Sequence, residues 1–195
     1  MSEFPSLTGA TAHIIVLTGP AENPSCLLQL QDERMAFYKF FGGYIDIAKQ
    51  ERIEEAIRRE IDEEALGLAS LLDLNDKRLH TSMWFSIMNY RKERKETCTY
   101  IIIWMNDTER AYVEEYARNQ NEAILLKASG GETSGVVLKQ LLDILEETFS
   151  TDGKRRKLLF PHGFLEHLAA ILPLEPARVA AIQQMMAKRE AEKEK

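Results

Sequence analysis

Glu60, Glu63 and Glu64 stand within five residues of one another, directly after Arg59, and Glu51 lies eight positions before that arginine. Set on a helix at about 100° per residue with Glu60 at zero, Ile53, Ile57 and Ile61 fall near 20°, 60° and 100° and mark the face that buries. Glu55, Arg58, Arg59 and Asp62 fall between about 160° and 260°, the solvent side. Glu60 and Glu64, near 0° and 40°, share the apolar sector, and Glu63, near 300°, sits at its rim. A solvated acidic run belongs opposite the isoleucines, whereas this one stands among them. Carboxylates crowded into low-dielectric surroundings repel one another and are costly to bury unpaired. Two remedies follow from that chemistry: raised pKa values with shared protons, or a bound cation. Oxygen donors of this kind suit Mg²⁺ or Mn²⁺ rather than zinc, and neither cysteine nor any of the four histidines falls in the segment.

Several elements must position that helix, which is expected from about Gln50 to Leu66 and closed by Gly67. Residues 12–18 read as a buried strand and 25–30 as its hairpin-like partner across the turn residues 18–24. Residues 35–41 run into Gly42-Gly43, and 80–90 and 98–105 form a long hairpin with the charged run Arg91 to Glu96 as its turn. A short helix is expected over 108–118, a strand from Ala123 to Ala128, a Gly/Ser-rich loop from Lys127 to Gly135, and helical spacing over 136–149. After Ser150 the composition changes, with two amphipathic helices expected at about 162–172 and 175–192. The order of elements makes an α/β or α+β domain over residues 1–150 and a helical C-terminal extension over 151–195.

Composition bounds the function classes. The 195 residues suit one domain, or one domain with an appendage. A net charge of −6 argues against non-specific nucleic-acid binding. Two cysteines, Cys26 and Cys98, exclude a disulfide scaffold and fit buried thiols in a reducing compartment. No apolar run approaches the ~20 residues of a membrane span, and the N-terminus lacks the basic start of a secretory signal, so a cytoplasmic protein is expected.

The segment over residues 42–68 resembles the box of the Nudix hydrolases, the MutT-like superfamily, G-x5-E-x7-R-E-U-x-E-E-x-G-U with U aliphatic. Glu51, seven intervening residues, then Arg59-Glu60-Ile61-Asp62-Glu63-Glu64 match its central part without a gap; Gly42-Gly43 match the paired glycines before it and Gly67-Leu68 its end. Two spacings differ: seven residues instead of five separate Gly43 from Glu51, and two instead of one separate Glu64 from Gly67. The resemblance implies an α/β/α sandwich with a mixed β-sheet. It implies that Glu60, Glu63 and Glu64 bind Mg²⁺ or Mn²⁺, with the backbone carbonyl of Gly43 completing the site, that Arg59 orients a glutamate, and that Glu51 and Gly42 are structural. The implied reaction is metal-dependent hydrolysis of the pyrophosphate bond in a nucleoside diphosphate linked to another moiety, with a small molecule as partner. A general base is drawn in the family from a later loop, so Glu114, Glu115, Glu122 and Glu132 are candidates; Glu122 is favoured, with Glu64 the alternative.

Other residues weigh less. Trp84, Phe85, Tyr90, Tyr100 and Trp104 could stack on a base but suit a core; Arg91, Lys92, Arg94 and Lys95 suit a solvated hairpin tip; Lys154 to Lys157 suit a surface linker. His162 and His167 are five apart, poor spacing for a shared metal face. Gly130-Gly131-Glu132-Thr133 reads as a flexible loop that could lie over the site. A Nudix-like ligand-binding or sensor module without catalysis, and an interaction protein or homodimer built on the C-terminal helices, are the rival classes.

Overall fold

The computed structural model describes residues 7–32, 37–65, 67–91, 94–126, 135–150, 158, 160–161 and 163–193. Among these residues seven strands form one mixed sheet. They are β1 (Leu7–Thr18), β2 (Ser25–Asp32), β3 (Phe37–Lys39), β4 (Phe41–Tyr44), β5 (Met83–Arg91), β6 (Arg94–Trp104) and β7 (Gly135–Gln140). The main path runs β3-β2-β1-β6-β5, with β4 also on β1 and β7 also on β2. The β1–β6 pairing is parallel, with Ile14 opposite Ile101, and the other pairings between strands are antiparallel.

Continuous apolar runs in β1 and β6 reflect burial on both faces, as expected where helices cover a sheet twice. Successive side chains alternate between two cores. Ile14 and Val16 join Leu27, Ile101 and Ile103 beneath α1 (Ile53–Glu64) and α2 (Leu68–Leu71), with Leu79 of α3 (Asp76–Thr81) and Val113 of α4 (Asp107–Leu126). Ile15 and Leu17 join Leu28, Tyr100 and Ile102 beneath α5 (Leu141–Ser150), α6 (Phe164–Ile171) and α7 (Pro176–Lys193). The α/β/α sandwich with a mixed sheet expected from the sequence is therefore the observed architecture.

Four local expectations are corrected. Residues 123–126, expected in a strand, are the last turn of the twenty-residue helix α4. A short apolar run such as Ala-Ile-Leu-Leu fits either period, and here it continues a helix already formed. Residues 136–140, expected to be helical, are strand β7, which pairs with β2 in the register Leu27 to Leu138; the β-branched Val136-Val137 suits that pairing. The charged run 91–96 is mostly strand, because β5 and β6 extend to Arg91 and from Arg94. The helix α1 also ends earlier than expected, at Glu64, and Gly67 (φ 85°) precedes α2 rather than closing α1.

The C-terminal segment is helical, as its spacing indicated. Its side chains fill the same core as the sheet: Phe164, Leu165, Leu168, Val179 and Ile182 pack with Ile15, Leu28 and Tyr100. Arg178 bridges to Asp143 and Glu146 of α5, at 2.7 Å each, and ties α7 to α5. Cys26 and Cys98 are buried free thiols. Among the described residues no helix is long and apolar enough to cross a membrane.

Candidate functional site

Helix α1 and the β4 strand before it meet at one end of the sheet. The seven residues between Gly43 and Glu51 hold a 3-10 turn, Ile47–Lys49, started by Asp46, whose side chain accepts from the Lys49 N–H. Glu51 fastens this loop: the Asp46 N–H donates to one of its oxygens at 2.7 Å, and Arg59 donates to both, at 2.8 and 3.1 Å. The same guanidinium donates to the Tyr44 carbonyl at 2.8 Å and to Glu60 at 2.6 Å. Arg59 thus joins loop, helix and acidic cluster through its fork of N–H groups. Its hydrogen bonds hold the Glu51 carboxyl below the ordinary glutamate range, and Glu51 and Glu60 in turn raise Arg59.

The wheel sorted the three glutamates by exposure. Glu60 and Glu64 are enclosed, with side chains 16% and 12% exposed, and Glu63 is 60% exposed. The Glu60 carboxylate lies against the backbone of Gly43, where an added Cβ would overlap it. Gly42 adopts φ 132°, and a Cβ there would overlap the Ala12 carbonyl across the β1–β4 pairing. Glycine is required at Gly42 by backbone conformation and backbone contact, and at Gly43 it leaves the space that the Glu60 carboxylate fills.

Glu60 and Glu64 both line a cleft of about 430 Å³ that runs from Gly42-Gly43 to Phe160 and Pro161. Glu63 instead faces a shallower depression of about 670 Å³ on the outer side of Glu60, with Tyr44, Lys49 and Arg59. The cleft is the better candidate, because the two half-buried carboxylates and the glycine pair converge there.

Three further residues on that cleft were missed in the sequence. Lys39 of β3 reaches Glu64 at 2.5 Å, while the Gly42 N–H lies 3.4 Å from the other Glu64 oxygen. Burial pushes the Glu64 carboxyl up, against the pull of Lys39. Glu96 of β6 is 6% exposed and accepts from the Tyr44 hydroxyl at 3.3 Å. His13 of β1 stacks on Tyr100, with ring centroids 5.2 Å apart, and its pKa is lowered to about 4 by burial and then by the charge of Lys39. Signals for all three were present in the sequence: His13 and Lys39 each interrupt an apolar run, and Glu96 is in period-two alignment with Cys98 and Tyr100, which line the same cleft.

Crowded carboxylates have here a third remedy beside proton sharing and metal: cations of the chain itself, Lys39 on Glu64 and Arg59 on Glu60. Among the described residues no group of three or more acidic, histidine or cysteine side chains is gathered around a common point. The donor set still fits a hard divalent cation. It supplies carboxylate oxygens, a glycine cradle that a Cβ would fill, and the buried Thr11 hydroxyl, which has no hydrogen-bond partner among the described residues and lines the cleft.

The other candidates are dispersed. Glu114 is bridged by Arg110 at 2.8 Å and, like Glu115, is exposed on α4 away from the cleft. Glu122 lies on α4 rather than before a strand, and its side chain is outside the described residues, as is all of Glu132 with Gly130, Gly131 and Thr133. Tyr100 and Phe85 are core residues, and Trp84 is 62% exposed on β5. The side chains of Tyr90, Arg91 and Arg94, and the whole of Lys92, His162 and Lys154 to Lys157, are outside the described residues. His167 packs on Phe85 and holds the Gly163 carbonyl at 2.8 Å, a helix-end contact.

No protein-family model matches the sequence, and no curated protein matches it. Solved structures do match. A MutT/nudix family protein from Enterococcus faecalis superposes with a TM-score of 0.42 at 12% identity, over 72% of this chain and 46% of that one, so the chain spans a little under half its length. The NUDIX domain of Shewanella oneidensis NrtR, crystallised with ADP ribose, gives 0.47 at 15% identity, over 86% and 89%. An Ap4A hydrolase from C. elegans gives 0.42 at 14% identity, over 72% and 86%.

Proposed function

We propose that this chain is a Nudix pyrophosphohydrolase, dependent on Mg²⁺ or Mn²⁺, that cleaves a nucleoside diphosphate linked to another moiety. The observation that carries the reading is that Glu60 and Glu64 line one cleft against the glycine pair, with Arg59 tying Glu60 to Glu51 and the intervening loop. In this reading Glu60 and Glu64 would hold the cation with the Gly43 carbonyl, and Glu63, which faces the outer depression, would join them only by turning its exposed side chain. A bound divalent cation neutralises the pyrophosphate oxygens, polarises phosphorus and lowers the pKa of an attacking water.

The chain's own residues do the rest. Arg59 keeps Glu60 pointed into the cleft, and Glu51 keeps Arg59 in place. Lys39 faces the cleft as a cation for the substrate's phosphates. Glu96 is the carboxylate placed to accept the water proton, since it is buried on the cleft wall with the Tyr44 hydroxyl as its described partner. It replaces Glu122 as our first choice, and Glu64 is the alternative.

The test is a panel of nucleoside triphosphates, ADP-ribose, sugar nucleotides, dinucleoside polyphosphates and capped RNA with Mg²⁺ and Mn²⁺, with products separated by chromatography. Cleavage between phosphates of at least one small nucleotide is expected. Binding of a nucleotide with no turnover of any panel member would move the chain to the ligand-binding or sensor class.

A further inference from the structure

The two cations on the buried carboxylates are not equivalent. Arg59 is committed several times over, to both oxygens of Glu51, to the Tyr44 carbonyl and to Glu60, so it is part of the frame. Lys39 comes from a three-residue strand, reaches across to α1, and makes its described contact with Glu64 alone. A lysine ammonium is a compact point charge on a flexible stem, well suited to exchanging partners. At 2.5 Å its ammonium occupies one of the two Glu64 oxygens that a divalent cation would compete for. The second Glu64 oxygen is turned to the Gly42 N–H at 3.4 Å.

We propose that Lys39 is a tethered counter-ion of the metal-free site, which a divalent cation displaces from Glu64 as it binds. The inference rests on the metal-dependent reading above. Its physical basis is charge balance. Glu60, Glu64 and Glu96 face one cleft with Lys39 among them, so the ammonium lets the acidic wall fold without metal. Once displaced, the same ammonium remains on the cleft lining and faces an incoming phosphate. Metal entry thereby arms the site with a positive group that the metal-free protein keeps occupied, and metal affinity is held down by the competition.

The experiment titrates the full chain with Mn²⁺ at neutral pH, following free Mn²⁺ by its paramagnetic resonance, for the wild type, Lys39→Met, Lys39→Gln and Glu64→Gln. The glutamine variant guards against misfolding of the methionine one, and melting curves report folding. In parallel, acetylation of the Lys39 amine in the wild type is measured by mass spectrometry with and without Mn²⁺. Removal of the competing charge is expected to tighten Mn²⁺ binding roughly tenfold in a folded Lys39 variant. Lys39 acetylation is expected to rise several-fold with Mn²⁺ in the wild type and to be high without metal in Glu64→Gln. Equal or weaker Mn²⁺ binding by the folded Lys39 variant, or unchanged acetylation in metal-loaded wild type, overturns the counter-ion role and leaves the metal reading standing. A wild type that binds no Mn²⁺ overturns the metal reading, and this inference with it.

Discussion

One face of the central sheet is aliphatic. Ile14, Val16, Leu27, Ile101 and Ile103 meet Ala56, Ile57 and Ile61 of α1, and the acidic end of that helix rides on this packing. The opposite face packs aliphatic side chains too, but it also holds a cluster of rings. Phe40, Phe85, Tyr100, Phe160 and Phe164 gather into one ring cluster, with Tyr100 and Phe164 centroids 5.0 Å apart and Phe160 and Phe164 also at 5.0 Å. The first face is built largely from a helix whose period can be counted. The second draws rings from strands and helices far apart in the chain, and it delivers Phe160 to the cleft wall. Chemistry is thus concentrated on a locally determined helix, while the shape of its cleft depends on a non-local cluster. The C-terminal helices, which look like an appendage in the sequence, are part of what shapes it.

The sharpest way to break this contrast is at the carboxylates. Glu60→Gln and Glu64→Gln are each expected to cut turnover by about a thousandfold, roughly 4 kcal/mol of transition-state stabilisation, while the melting temperature moves by a few degrees at most. Steady-state rates and melts on the same preparations test this. Retained turnover in both would remove α1 from the chemistry.

On the aromatic face the ordering reverses. Phe164→Ala should lower stability by about 3–5 kcal/mol, because a fully buried ring leaves a cavity that its neighbours cannot close. Denaturant unfolding would read that loss. A cost under about 1 kcal/mol would show that the C-terminal helices are dispensable to the core, in which case truncation at Ser150 should leave a folded domain.

His13 joins the two faces through pH. Its pKa falls from 6.5 to about 4 on folding, so the folded state resists its protonation. Stability is then full above about pH 6.5 and declines as the pH falls toward 4, by up to roughly 3 kcal/mol. His13→Gln should flatten that part of the profile. A wild-type stability that is level between pH 6.5 and 4 would contradict the buried neutral imidazole.

The smallest expected effect is at the loop tie. Glu51→Gln should cost about 1 kcal/mol at neutral pH, a value kept low because Arg59 is 36% exposed. The Glu51 pKa is lowered on folding, so this contribution is present above the ordinary glutamate value and fades as the pH drops through the lowered one. Wild type and variant should therefore converge in acid, and a difference that persists there would mean the loop is held by packing instead.

Much of α1 is legible in the amino-acid sequence, because helical periodicity is a property of neighbouring residues. Counting positions from Glu60 places Glu60 and Glu64 on the buried side and Glu63 at its rim, and their exposures follow that order. The strands β1 and β6 are legible because their continuous apolar runs mark burial on both faces. Residues 123–126 and 136–140 are misread because a short apolar run fits a helix or a strand equally well until its partner is known; for the second, that partner is β2. The sequence marks single cleft residues, but which of them meet cannot be read from it. The Lys39 contact with Glu64 spans 25 residues and that of Tyr44 with Glu96 spans 52, and each exists only because sheet register brings the strands and α1 together. By itself, then, the sequence determined which carboxylates of α1 turn inward, since that depends on spacing along one helix. Which cations and which walls surround them was decided only by the tertiary structure, since charge pairing acts through space and the chain distance between the partners sets no limit on it.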